Sequence, residues 1–311
     1  MYMRRIFTIG GVLAVLLACV LGAAPARAED FPAVIPLPNG FEPEGIAMGR
    51  GATAYVGSES SGAIYKINLR TGEGETFVEA QPPQAALGMM MDPRTGYLYV
   101  AGGAGGNALV YDTTTGELVQ EIELTTEADT LVNDVAVGWN AVYFTDTHLP
   151  VFYKVPLGPG GTLPDSATSE AVAITGEFVN NPGGLNGNGI VVSADGKKLI
   201  IAQTDLGQLY EVDPVSGVST LMQIDGEMEI YHDGLVLAGN VLYVVNYNDS
   251  VYVITLAPDW LSGTLDRTIT DPNFEAISTG ARRGPNLYVV NARWDAERTP
   301  DTEYWVTRVK R

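Results

Sequence analysis

Four oxygen-bearing side chains stand at the same place in a sequence pattern that the chain repeats. The pattern is an apolar run, a turn rich in Asp, Gly or Pro, and a second apolar run, and it occurs six times at intervals of about 43 to 55 residues. In four copies the first run starts at a carboxylate or an amide: Glu44, Asn133, Asn188 and Asp233. Hard cations bind such oxygens, and Ca²⁺ accepts about six to eight of them, so the set favours calcium over metals that prefer nitrogen or sulfur.

An alternative is that each of these side chains is an ordinary turn residue, since Asn and Asp are common where strands begin. The other two copies start at Leu87 and Ser278 and offer no strong ligand. Two carboxylates about 5 Å apart would repel by about 3 kcal/mol at an effective dielectric of about 20. A cation would remove this repulsion, so four such residues at one repeat position favour a shared ion site.

The elements that must position these residues are short strands. The clearest copy spans residues 188–202, where residues 190–193 and 199–202 form two apolar runs joined by a turn that contains Asp195 and Gly196. An Asp-Gly pair between apolar runs predicts a β-hairpin. A repeat of this length is typical of a four-stranded propeller blade, so we predict an all-β protein, a six-bladed β-propeller. The innermost strands line a central channel, where the four residues would meet.

The last copy has room for only three strands after Ser278. The apolar segment Phe31–Pro38 precedes the first copy, and its prolines are tolerable on an edge strand. We predict that this segment is the outermost strand of the last blade. The ring would then be closed by an N-terminal strand, which removes two open sheet edges.

The N-terminus has the pattern of a secretory signal peptide. Arg4 and Arg5 precede an apolar run, and a small-residue cleavage site ends at Ala28. We predict a signal peptide over residues 1–28, a single propeller domain over residues 29–311, and a secreted or periplasmic protein; a lipoprotein anchored at Cys19 is the alternative. Cys19 is the only cysteine, so the mature protein would have no disulfide.

The charge of the chain excludes some partners. It has 37 acidic and 18 basic residues, a formal net charge of −19. Nucleic acid and anionic membranes would be repelled, although the acidity is also explained by solubility alone. No later stretch is long and apolar enough for membrane insertion after signal cleavage. We expect a monomer that acts on a small-molecule substrate.

Four short motifs carry a family resemblance. Glu44-Gly45-Ile46-Ala47, Asn133-Asp134-Val135-Ala136, Asn188-Gly189-Ile190 and Asp233-Gly234-Leu235 lie in blades one, three, four and five, and Tyr143-Phe144-Thr145-Asp146 lies in blade three. In order and placement they resemble the calcium-dependent six-bladed propellers that include gluconolactonase, senescence marker protein and diisopropyl fluorophosphatase.

The resemblance implies a catalytic Ca²⁺ held by Glu44, Asn133, Asn188 and Asp233. It also implies that the protein hydrolyses lactones, related esters or phosphoesters. The ion would polarise the C=O or P=O, and Asp233 would be the nucleophile or the base. Some relatives hold a second calcium, but Val236 stands at the corresponding position here, so we expect one ion.

Further residues are weaker candidates for the site. His148, Tyr247 and Trp294 are predicted to contact substrate. Tyr231 and Phe152 could line an apolar pocket with Tyr247 and Trp294. The alternative is solvent exposure for His148 and packing for the aromatic residues. His232 adjoins Asp233, but neighbours along a strand point to opposite faces, so we expect no direct catalytic role.

Two other functions stay open. One is a non-catalytic propeller that binds a ligand or partner protein and uses calcium only for stability, since one fold hosts many functions. A metal-free propeller enzyme like strictosidine synthase is the third possibility, and the four-oxygen set argues against it.

Overall fold

The computed structural model describes Met1 and residues 31–311. The predicted signal peptide beyond Met1, its cleavage site and Cys19 therefore lie outside the described residues. Residues 31–311 form one compact unit of six sheets. The predicted all-β, six-bladed propeller is confirmed.

The first three blades are four-stranded antiparallel sheets. Blade one contains β2 (Pro43–Met48), β3 (Thr53–Ser58), β4 (Ile64–Asn68) and β5 (Gly74–Val78). Blade two contains β6 (Met89–Met91), β7 (Tyr97–Ala101), β8 (Asn107–Asp112) and β9 (Leu118–Glu123). Blade three contains β10 (Val132–Val137), β11 (Ala141–Asp146), β12 (Val151–Pro156) and β13 (Glu170–Ala173).

Blades four and five each gain a short outer strand that pairs in parallel. Blade four contains β15 (Gly187–Val192), β16 (Leu199–Gln203), β17 (Gln208–Val212) and β18 (Val218–Leu221), with β14 (Thr175–Gly176) outermost. Blade five contains β20 (His232–Ala238), β21 (Val241–Asn246), β22 (Ser250–Leu256) and β23 (Ser262–Ile269), with β19 (Gln223–Asp225) outermost.

Blade six is built from both ends of the described chain. It contains β24 (Ile277–Arg283), β25 (Asn286–Asn291), β26 (Trp305–Lys310) and, outermost, β1 (Val34–Pro36). Ile35 is the Cα partner of Val306 in this pairing. The prediction that an N-terminal strand closes the ring is confirmed, and the strand is shorter than the predicted segment.

The core lies between blades. The buried apolar residues form six clusters, each shared by two neighbouring blades. Ile35 and Tyr288 of blade six, for example, pack with Ile46 of blade one. Because the middle strands are covered on both faces, they are almost continuously apolar, as Leu98–Ala101 illustrates.

Helix is almost absent from the described residues, where one 3-10 turn spans Pro159–Gly161. In that part of the chain no helix has the length and hydropathy needed to cross a membrane.

Candidate metal centre

A β-bulge fixes the position of all four predicted ligands. In blade one, Pro43 pairs with Ser58 and Ile46 with Val56, so Glu44 and the following glycine face the single residue Gly57. Blades three, four, five and six have the same register shift at Asn133, Asn188, Asp233 and Ser278. A bulge re-aims the side chain that it carries. The equivalence inferred from the repeats is therefore a shared backbone geometry at these positions.

The second bulge position is glycine in three of these blades, and close packing requires it. A Cβ on Gly234 would lie 1.9 Å from Thr279 Oγ1, one on Gly189 would lie 2.3 Å from the Asp233 carbonyl oxygen, and one on Gly45 would lie 2.1 Å from the Leu87 carbonyl oxygen. Each glycine thus lets the inner strand of the next blade approach its backbone.

The four predicted ligands line one cavity and keep oxygens without partners. Their side chains are only 5% to 8% exposed. The unpaired buried atoms are Glu44 Oε2, Asn133 Oδ1, Asn188 Oδ1 and Asp233 Oδ1. Buried polar atoms are normally hydrogen-bonded, so four unpaired oxygens in one place fit a cation. No cluster of three or more carboxylate, imidazole or thiol groups offers another metal site among the described residues.

Hydroxyl groups of neighbouring residues hold three of the four ligand residues in position through hydrogen bonds that leave their unpaired oxygens free. Asn133 Nδ2 donates to Thr147 Oγ1 at 2.8 Å, which leaves the amide oxygen free. Thr145 Oγ1 donates to the Asn188 carbonyl oxygen at 2.7 Å. Ser278 Oγ donates to the Glu44 carbonyl oxygen at 2.6 Å. These bonds hold the ligand residues before any ion binds.

The electrostatics of the site favour a cation. Burial raises the pKa of Glu44 well above its ordinary value, and the charge of Asp233 adds to this. Burial also raises the pKa of Asp233 well above its ordinary value, with a further contribution from Asp134. The two carboxylates therefore resist being charged together, and a bound divalent ion would compensate both charges.

Asp134 is a residue of this region that the sequence analysis missed. It occupies the second bulge position of blade three, where three other blades have glycine. Its carboxylate accepts from the backbone N–H of Val135 at 2.8 Å and of Ile190 at 3.2 Å, which ties blade three to blade four. Burial raises the pKa of Asp134 to about 7. The sequence signal for Asp134 was that an acidic residue replaces the glycine found at this repeat position in three other blades.

The cavity above the four oxygens has a volume of about 620 Å³ and an aromatic wall. Tyr247 and Trp294 are stacked with their ring centres 5.6 Å apart, and Tyr231 meets Tyr247 edge-on at 6.3 Å. The predicted contact residues Tyr247 and Trp294 thus line the cavity with Tyr231. Aromatic walls bind planar or apolar groups.

The histidines and Phe152 lie elsewhere. His148 is outside the cavity lining, with Nδ1 3.1 Å from Asp129 Oδ1. Phe152 does not line the cavity; its ring is fully buried in the core between blades three and four, in agreement with the packing alternative. His232 is buried against Tyr252, and burial lowers its pKa to about 4, so it is neutral at pH 7.

An ion-pair cluster at the rim was also missed. Arg298 Nη2 lies 2.6 Å from Glu59 Oε1, and Arg298 Nη1 lies 2.7 Å from Glu42 Oε2. Trp294 Nε1 donates to Glu59 Oε2 at 2.9 Å. The cluster joins the first blade to the loop between β25 and β26. The sequence contains no pattern that relates residues so far apart along the chain.

Comparison with known proteins supports the fold. No family model and no curated protein sequence matches this chain. Among solved structures, the chain is similar to the Malassezia sympodialis allergen Mala s 1, with a TM-score of 0.64 and 15% identity over 90% of this chain and 96% of the other. It is similar to a Lactobacillus plantarum protein, with a TM-score of 0.57 and 16% identity over 80% and 77% of the two chains. The β-propeller domain of Myceliophteria thermophila Swd1 gives a TM-score of 0.57 and 13% identity over 91% and 89%.

Proposed function

We propose that this protein is a Ca²⁺-dependent hydrolase of lactones or of related esters and phosphoesters. The observation that carries the proposal is the group of four buried, unpaired oxygens at the floor of a cavity large enough for a small substrate. The proposal agrees with the motif resemblance to the gluconolactonase-type propellers.

Each residue of the site has a proposed role. Glu44, Asn133, Asn188 and Asp233 would hold the ion. Bound calcium would supply a Lewis acid that polarises the substrate's C=O or P=O. Asp233 has a second role: its carboxylate would attack the substrate or take a proton from water. Burial keeps Asp233 shielded from bulk water, and the orienting hydroxyl groups keep its neighbours in place.

The cavity wall contributes binding and orientation. The rings of Tyr247 and Trp294 would hold the substrate over the four oxygens, and the burial of these oxygens would limit their contact with bulk water. A substrate that is held in one orientation has already lost the entropy that reaching the transition state would otherwise cost, so the barrier is lower.

The test is hydrolysis by chelated and calcium-restored protein. Chelated protein is assayed on a panel of lactones, aryl esters and phosphotriesters, and calcium or magnesium is then added. We expect activity that is lost on chelation and returns with calcium more than with magnesium, because Mg²⁺ requires a smaller octahedral site. Activity that survives complete removal of metal would reject the proposal.

The second candidate is a non-catalytic propeller that binds a ligand or partner and uses calcium for stability. It is favoured by the deep burial of the four ligand side chains, which also suits an ion with a purely structural role. Calcium would then raise the melting temperature, and no member of the panel would be hydrolysed.

A further inference from the structure

The cavity over the candidate ion site has predominantly apolar walls. Its apolar lining comes from five blades and includes Leu87, Leu131, Leu185, Tyr231, Tyr247 and Trp294. Beside the four ligands, the polar side chains of the lining are Glu59, Ser60, Thr147, Thr204 and Arg298. A substrate bound here would therefore meet mainly carbon surface, with the oxygens confined to the floor.

The one cation in this lining is already neutralised. Arg298 pairs with both Glu59 and Glu42 at 2.6 Å and 2.7 Å, so two carboxylates surround one guanidinium group. Glu59 is held further by Trp294 Nε1. Among the described residues that line the cavity, no other Lys, Arg or His side chain is present to attract an anion. With the formal net charge of −19 for the chain, an anionic substrate would be disfavoured.

Few hydrogen-bonding groups remain for a substrate with many hydroxyls. Thr147 Oγ1 already accepts a hydrogen bond from Asn133 Nδ2 and donates one to the Gly187 carbonyl oxygen. Thr204 is only 5% exposed, and its Oγ1 has no hydrogen-bond partner. It offers one free hydroxyl on the wall contributed by blade four, and the hydroxyls of Ser60 and Tyr231 are the other free ones among the described residues of the lining. A sugar-like substrate would lose hydrogen bonds to water at several hydroxyls and form few new ones with the protein. Each hydroxyl left unpaired costs free energy.

The apolar surface continues outward from the cavity. Leu185, Leu206, Ile230 and Tyr231 are 38% to 44% exposed, and Leu185 and Tyr231 also line the cavity. Backbone contacts make these residues neighbours: Asp205 N donates to the Leu185 carbonyl oxygen at 3.1 Å, and Tyr231 N donates to the Thr204 carbonyl oxygen at 2.8 Å. We call these four residues the apolar rim. It lies at the mouth formed by blades four and five.

From these features we infer that the site takes an uncharged ester or lactone with an apolar body, and that polyhydroxylated and anionic substrates are excluded. This inference rests on the proposed hydrolase function. The ester group sits over the four oxygens, the planar part lies against the Tyr247 and Trp294 rings, and an alkyl substituent extends along the apolar rim.

The test compares lactones that share one reacting ring. The substrates are δ-valerolactone, δ-octanolactone, δ-decanolactone and glucono-δ-lactone, and each kcat/KM is divided by the spontaneous hydrolysis rate. A fully buried methylene contributes about fourfold, and the rim stays partly exposed, so we expect a rise of at least about thirtyfold from valerolactone to decanolactone. Glucono-δ-lactone should rank last. A flat chain-length series, or a preference for glucono-δ-lactone, would overturn the inference.

A matched pair of variants tests the rim. Leu206→Lys places a charge on it, whereas Val215→Lys changes a residue that is 74% exposed in the turn between β17 and β18, at the opposite end of blade four. Leu206→Lys should lower kcat/KM for δ-decanolactone by about fivefold to tenfold and leave δ-valerolactone within about twofold. Val215→Lys should change neither. An equal loss for both substrates in Leu206→Lys would reject the rim as a binding surface.

Binding separates this inference from the proposed function. If no lactone, aryl ester or phosphotriester is hydrolysed, the hydrolase proposal fails, and affinities measured by calorimetry on the calcium-loaded protein still test the substrate class. We expect decanolactone to bind more tightly than valerolactone, and glucono-δ-lactone to bind least tightly. Equal or reversed affinities would reject the apolar substrate class even if hydrolysis is observed.

Discussion

Blades three and six place the same backbone bulge at the channel and use it in opposite ways. In blade three the first bulge residue is Asn133, whose Oδ1 is buried and has no partner. In blade six it is Ser278, whose Oγ donates to the Glu44 carbonyl oxygen at 2.6 Å. One blade leaves an oxygen free and the other uses its oxygen to hold a neighbouring ligand. The fold thus sets where a side chain points, and the residue type decides whether it can bind an ion.

The contrast extends around the ring. Blades one, three, four and five carry unpaired oxygens, whereas blade two has Leu87 in the corresponding place, packed in the core that it shares with blade three. Blade six also closes the ring through β1. We therefore expect changes in blade six to act on stability and changes in the ligand-bearing blades to act on ion binding and chemistry.

The largest effect is expected from loss of the closing strand. A chain that lacks residues 31–38 no longer buries Ile35 and Leu37, each of which contributes about 1.5 to 3 kcal/mol, and it exposes an edge of β26. The free energy of unfolding should fall by about 3 to 6 kcal/mol, measured by denaturant titration.

Point variants control for the truncation. Ile35→Ala should cost about 2 to 5 kcal/mol, because the side chain is fully buried. Val34→Ala should cost under about 0.5 kcal/mol, because Val34 is 38% exposed on the same strand. Equal unfolding free energies for the truncated and full chains would mean that the ring does not depend on β1.

The next effect concerns the two carboxylates of the ligand-bearing blades. Asp233→Asn and Glu44→Gln both remove one charge and keep one oxygen, so both should weaken calcium binding. At saturating calcium, turnover of Glu44→Gln should recover in part, whereas turnover of Asp233→Asn should stay lower by about 10² to 10⁴, the range for loss of a positioned base. Steady-state assays over a calcium titration measure this. Equal recovery of the two variants would mean that Asp233 binds the ion but does not act as nucleophile or base.

A smaller effect is expected from the ion itself. Calcium at about a hundredfold excess over its dissociation constant should stabilise the folded protein by about 2.7 kcal/mol, and magnesium by less. Because burial raises the pKa of Glu44 and Asp233, the folded chelated protein keeps protons that the unfolded chain loses above about pH 4. Its stability should therefore fall as pH rises from that point, and calcium should reduce this fall. Melting curves unchanged by calcium across this pH range would reject the ion site.

Much of the fold was predictable because the repeat is visible in the sequence. The paired apolar runs and their turns located the hairpins, and the missing strand of the last copy located β1. The bulge was not predictable, since it depends on the pairing register of two strands. The close approach between blades at Gly189 and Gly234 was not predictable either, because it depends on how neighbouring blades pack.

The site was predictable only where the repeat marks it. Glu44, Asn133, Asn188 and Asp233 share a repeat position, and the structure brings them to one cavity. Thr204 and the Arg298 cluster lie in loops of different length, where the repeat gives no alignment. Phe152 lies on β12, where its ring packs between blades three and four, so the packing alternative applies to it.

The smallest effect concerns the two uses of the bulge. Ser278→Ala removes the donor to the buried Glu44 carbonyl oxygen and should cost about 1 kcal/mol of unfolding free energy. Because Ser278 holds only the backbone of Glu44 and offers no unpaired oxygen to the ion, this variant should reduce the stabilisation by calcium less than loss of a ligand does. Asn188→Ala is the matched variant at the same bulge position of blade four, and it removes an oxygen that has no partner.

These two variants separate a residue that supports the site from one that binds the ion. Asn188→Ala should lower the stabilisation by calcium more than it changes the chelated protein, because the lost oxygen matters only when an ion is bound. Denaturant titrations with and without calcium give both differences for each variant. If Ser278→Ala reduces the calcium-dependent stabilisation as much as Asn188→Ala does, then blade six also supplies a ligand. The division between ligand-bearing and closing blades would then be wrong.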